Sequence, residues 1–88
     1  MTKLTINAAE IHTAEQLHRL LSEELGFPRY YGMNLDALYD CLTDSEAEIT
    51  VLHPEKFAEN LGEQKAESFL RVLYDSAEAN PLLTLNIE

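Results

Sequence analysis

The chain is short of cations. Six Lys and Arg residues stand against 16 Asp and Glu, for a formal net charge of −10, and no Lys or Arg lies between Arg29 and Lys56. The imbalance is not confined to a tail: residues 1–44 hold seven acids and three bases, and residues 45–88 hold nine and three. Each phosphate a protein neutralises calls for a Lys or Arg, so direct nucleic-acid binding is disfavoured, and an anionic membrane surface with it. Cysteine is equally scarce. Cys41 stands alone and cannot close an internal disulfide, which fits a reducing, cytoplasmic setting and a fold held by its core. No apolar run reaches the length of a signal peptide or a membrane span. The three glycines are scattered and form no phosphate-cradling loop. His12, His18 and His53 share no ligand spacing; each reads as a surface or capping residue, and no cofactor is expected.

What is present is an ordinary globular composition, 45% hydrophobic and 25% charged, in 88 residues. That length predicts one domain, residues 1–88, with a modest core. Leu4 and Ile6 alternate with Thr5, which predicts a strand over 3–7. Thr13 and Gln16 fit a capping box, and Leu17, Leu20, Leu21 and Leu25 follow at helical spacing. Gly26 and Pro28 then stop the helix, giving 14–25. Asn34 caps a second helix, 34–43, whose apolar face is Leu35, Leu38 and Leu42. The β-branched run at 48–53 predicts a second strand. Pro54 opens a third helix that runs to Leu61 near Gly62, and a fourth covers 64–79 up to Asn80-Pro81. Leu83, Leu85 and Ile87 alternate in a last strand. The order is βααβααβ, and helices between successive strands predict an α/β fold with a parallel sheet.

The second helix is unusual on its outer side. At 100° per residue, Asp36, Tyr39, Asp40, Thr43 and Asp44 fall opposite the leucines. Asp36–Asp40 and Asp40–Asp44 are like-charge pairs at i,i+4, each costing about 0.2–0.5 kcal/mol. That cost is small enough for a merely solvated face. Against that reading, Tyr30, Tyr31 and Tyr39 crowd the same stretch, and aromatics beside unpaired charges are the composition of a protein-binding hot spot. A basic protein is the partner such a face fits, since opposite fields speed encounter.

Three aspartates on one face also raise a rival, a hard cation or an acid–base pair. No His or Cys converges on them, backbone carbonyl ligands are missing from the pattern, and the wheel turns Cys41 off their face as a buried small residue. No metal and no enzymatic role are expected.

Residues 6–43, and above all Tyr30-Tyr31-Gly32-Met33-Asn34-Leu35-Asp36-Ala37-Leu38-Tyr39-Asp40-Cys41-Leu42-Thr43, resemble barstar, the family of intracellular inhibitors of barnase-type secreted ribonucleases. The similarity continues more weakly through Phe57, the helix Ala66–Ala79 and the last strand. The resemblance implies a three-stranded parallel sheet with four helices. It implies that the second helix and its preceding loop plug a ribonuclease active site, with Tyr30, Asp36, Asp40 and Thr43 at matching positions; Asn34 and Asp44, at the two ends of the helix, join them as candidate partner-binding residues. Asp40 would stand where an RNA phosphate stands. Tyr39 occupies a tryptophan position, and Asp75 falls on an accessory glutamate of the last helix. Ser45 departs from the family, which has a second tryptophan there, and Asp44, Glu46 and Glu48 make the rim more acidic. The expected function is therefore inhibition of a small basic ribonuclease, as an immunity or antitoxin protein that is monomeric when free. The alternative is an acidic module of the same fold that binds a basic partner other than a ribonuclease.

Overall fold

A computed structural model describes residues 1–88. Three strands, β1 (Thr2–Asn7), β2 (Ala47–Leu52) and β3 (Leu83–Ile87), form one sheet in the order β1-β2-β3. Both pairings are parallel, so each needs a crossover, and helices supply it. Helices α1 (Ala14–Leu25) and α2 (Leu35–Thr43) join β1 to β2; α3 (Glu55–Leu61) and α4 (Glu63–Ala79) join β2 to β3. This is the βααβααβ arrangement that the spacing of elements and the resemblance implied.

Register places like with like across the sheet. Leu4, Ile49 and Leu85 share one row, and Ile6, Val51 and Ile87 the next. These residues face the helices. Ile6, Ile49 and Val51 are wholly buried, together with Leu17 and Leu21 of α1, Leu38 and Leu42 of α2, and Phe57 of α3. Burying such a side chain contributes about 1.5–3 kcal/mol, and the set is contiguous. The other sheet face is polar: Lys3, Thr5 and Thr84 are exposed, and Asn86 Nδ2 donates to Glu48 Oε2 at 3.2 Å.

The helix ends follow local chemistry. Thr13 Oγ1 accepts from Gln16 N at 3.0 Å, and Gln16 Oε1 accepts from His12 N at 2.8 Å. Gly26 closes α1 in the left-handed region, at φ 69°, where a Cβ would be strained.

Several expectations need correction. The second strand lies one residue earlier than 48–53, because His53 turns into the left-handed region at φ 54° and ends it. Only Gly62, at φ 90° and ψ 150°, separates α3 from α4, so α4 starts at Glu63. A short 3₁₀ turn, Ala8–Glu10, was not anticipated; Asn60 Nδ2 of α3 holds its Ala8 carbonyl at 3.2 Å. His18 is not a surface residue. It is 5% exposed, since it shares the buried side of α1 with Leu17 and Leu21 and packs on Phe69, ring centroids 5.0 Å apart.

Candidate functional site: the outer face of α2 and its preceding loop

Helix α2 is only nine residues long, too short to persist on propensity alone. Its position comes from a cap and a packed face. Asn34 Oδ1 accepts from Ala37 N at 2.8 Å. Leu38 and Leu42 are fully buried, and the helix packs chiefly on α4. At its end, Asp44 N donates to Cys41 O (3.2 Å) and Ser45 N to Leu42 O (3.1 Å). Thr43 Oγ1 donates back to Asp40 O at 3.0 Å. With the leucines turned in, Asp36, Tyr39, Asp40 and Asp44 are exposed and Thr43 is half-buried.

The loop before α2 divides its two tyrosines. Tyr31 N donates to Pro28 O at 3.0 Å, and the Tyr31 ring packs edge-on against Phe27. Its hydroxyl hydrogen-bonds His18 Nδ1 at 2.5 Å. Burial lowers the His18 pKa below 6.5, which favours the neutral ring, and the ring tautomer sets which of the two groups donates. Burial first, and then Cys41, push Tyr31 up to about 12. Tyr31 is thus an anchor, while Tyr30 stands in solvent at 88% exposure. Met33 takes a left-handed backbone, φ 52°, just ahead of the cap. Gly32 fits because a Cβ there would lie 3.0 Å from Asn34 Nδ2.

The acidic side chains border three shallow depressions around α2. Asp40 and Asp44 share one with Pro28, Tyr30, Cys41 and Glu46. Asp36 borders another with Glu67 and Arg71 of α4. Tyr39 meets Asp75 and Glu78 in the third. Asp36, Tyr39, Asp40 and Asp44 thus form an acidic crest along the exposed side of α2, with Asp75 of α4 next to Tyr39. Two expectations fail. Glu48 is not on this rim; strand alternation turns it to the polar sheet face beside Asn86. Cys41 is not buried off the acidic face either. It is half-exposed on the edge of the apolar stripe that the loop leaves open, and it shares a depression with Asp40 and Asp44. Partial burial raises its pKa, and those two carboxylates raise it further.

The aspartates of this crest make no ion pair within the chain. The ion pairs use other carboxylates: Arg19–Glu15 at 2.6 Å, Lys56–Glu59 at 2.9 Å, His53–Glu55 at 3.9 Å when His53 is protonated, and, beside Asp36, Arg71–Glu67 at 3.0 Å. No Lys or Arg nitrogen comes within 4.0 Å of a carboxylate of Asp36, Asp40, Asp44 or Asp75. No group of three or more His, Cys, Asp or Glu side chains converges to hold a metal ion. No helix is long and apolar enough to cross a membrane. Sequence reasoning missed Tyr31–His18 as the anchor of the loop. The signal was there in outline, since His18 sits between Leu17 and Leu21 on the core side of the first helix.

Comparison with known proteins agrees with this fold. The profile of the family described as "Barstar (barnase inhibitor)" matches residues 1–84. The Bacillus subtilis (strain 168) protein named "Putative ribonuclease inhibitor YrdF" is 51% identical over 43 residues, which cover 49% of this chain and 47% of that protein. The match thus spans about half the length of that relative. With the family profile covering nearly the whole chain, and the helices and parallel sheet arranged as described, the chain belongs to the Barstar family.

Proposed function

We propose that the chain inhibits a small basic microbial ribonuclease by laying α2 and the loop before it into the enzyme's cationic cleft, as an immunity or antitoxin protein of the cytoplasm. The observation that carries this reading is that Asp36, Asp40, Asp44 and Asp75 form no ion pair within the chain. A ribonuclease cleft is lined with cations for phosphate. Carboxylates held at phosphate-like positions compete with RNA simply by occupying it. Asp40 takes the central phosphate position, Asp36 and Asp75 pair with flanking cations, and Tyr30 and Tyr39 supply rigid contact area. Asn34 and Thr43 hold the two ends of the helix and contact the rim, and Asp44 adds charge at the C-terminal end. The chain acts as a binder in a one-to-one heterodimer, performs no chemistry of its own, and is monomeric when free because its acidic crest repels a second copy.

Losing one partner of a desolvated charge pair leaves the other charge stranded, which is far costlier than losing an exposed charge. Asp40→Ala should weaken binding roughly a hundredfold or more, whereas Glu59→Ala, on the distant helix α3, should leave it unchanged. A panel of small extracellular-type ribonucleases, assayed for RNA cleavage with each variant, tests this. Equal inhibition by both variants would remove the carboxylate plug. A second reading has its own support: Ser45 stands at a family tryptophan position, and Asp44 and Glu46 enlarge the acidic rim beside Asp40. Those features fit a basic partner that is not a ribonuclease. Capture of such a protein, with no inhibition across the panel, would favour this reading.

A further inference from the structure

The sequence marks Asn80 only as a helix end before Pro81, but its side chain does more. It is 7% exposed and joins three parts of the fold. Its Nδ2 donates to Leu42 O at 3.1 Å and to Ser45 O at 2.7 Å, both at the C-terminal end of α2. Its Oδ1 accepts from Leu82 N at 3.0 Å. Its own backbone closes α4 through Asn80 N to Ser76 O at 2.9 Å, and starts β3 through Leu83 N to Asn80 O at 3.0 Å. Leu82 O in turn accepts from Ala47 N at 3.1 Å, where β2 begins.

We propose that Asn80 is the positioning residue of the binding helix: its amide clasps the last turn of α2 to the α4–β3 corner and so sets where Asp40, Thr43 and Asp44 stand relative to Asp75. The inference rests on the functional reading above. The chemistry demands an amide. The end of α2 offers carbonyl oxygens that lack helical partners, so two N–H donors must meet them. The same side chain must also accept one bond from Leu82 N. Aspartate has nearly the same shape but no donor, and it would set a carboxylate against two carbonyls. Alanine leaves Ser45 O and Leu82 N without these partners and Leu42 O with Ser45 N alone. Because α2 is short and leans on α4, a lost clasp loosens its last turn and the Asp44–Ser45 exit while the buried Leu38 and Leu42 still hold the helix against the core.

The test compares wild type, Asn80→Asp and Asn80→Ala in two measurements, under conditions where each is folded. The first is dissociation from barnase. Both variants should leave about tenfold faster than wild type, with the association rate nearly unchanged, since displaced contacts act mainly on dissociation. The second is amide hydrogen exchange in the free protein. Exchange at Asp44 and Ser45 should rise about tenfold or more, while Ile49 in β2 stays slow. Wild-type dissociation rates in both variants would overturn the proposal. So would an exchange increase spread evenly over α2 and β2, which marks only a loss of global stability. If wild type does not bind barnase, the ribonuclease reading loses its first candidate, and the exchange pattern alone decides for or against the clasp.

Discussion

Ser76 shows how narrow the margins are at single positions. Its hydroxyl is completely buried in the face that α4 turns to the core, and it has no hydrogen-bond partner. A buried, unsatisfied hydroxyl costs about 1–3 kcal/mol. Ser76→Ala keeps the volume close and removes the unpaired group, so it should raise the unfolding free energy by about 1 kcal/mol. Urea denaturation checks this, with a higher midpoint at an unchanged slope. His18 is the complementary case, a buried group whose burial opposes its charged form. In the unfolded chain it takes a proton near 6.5; in the folded protein it resists until lower pH. The unfolded state therefore binds more protons as pH falls through 6.5. The stability His18 contributes is complete above about 6.5 and is lost as pH drops below it. Midpoints measured between pH 7.5 and 5.5, above the carboxylate range, should fall, and His18→Asn should flatten the slope.

At the scale of elements, α2 is a helix assembled against its own electrostatics. Asp36–Asp40 opposes it by about 0.2–0.5 kcal/mol, Asp44 adds a third negative charge at its C-terminal cap, and none of the three is ion-paired. Its N-terminal cap therefore matters more than usual. Asn34→Ala should cost about 1 kcal/mol, read as a lower melting midpoint. It should also weaken binding, because Asp36 sits in the first turn that the cap holds. The loop before the cap is kept in place from the other side, by Tyr31 against His18 and Phe27. Adjacent tyrosines thereby take opposite roles, one packed inward and one left at 88% exposure. The left-handed Met33 and the close fit at Gly32 belong to this same sharp entry into α2.

At the scale of the molecule, the net charge of −10 is spread over the chain, and the α2 crest with Asp75 of α4 gathers four aspartates that make no ion pair within it. Such a field steers a basic partner and is screened within about 10 Å at 0.1 M salt. Association with a cognate basic enzyme should slow by roughly tenfold or more between low and high salt, while dissociation changes little. Stopped-flow mixing over a salt series reads both rates. A salt-independent association rate would mean that the crest plays no part in encounter.

Local and periodic information sufficed for much of this protein. Thr13 with Gln16, Asn34, Gly26 and Pro54 punctuate the helices by chemistry that acts within a few residues. The alternation of Leu4 with Ile6, and of Leu83 with Leu85, marks strands by a two-residue period. The spacing of Asp36, Asp40 and Asp44 put an acidic stripe on one helix before any contact was known. What remained depended on residues distant in the chain. The Ala8–Glu10 turn is held by Asn60, the loop by Tyr31 reaching His18, and the end of α2 by Asn80. Whether Cys41 was covered, and on which face Glu48 emerged, also depended on neighbours that no window includes. Periodicity tells a side chain which way to point. Only packing settles what it meets there, because burial and hydrogen bonding are decided between elements and not within them.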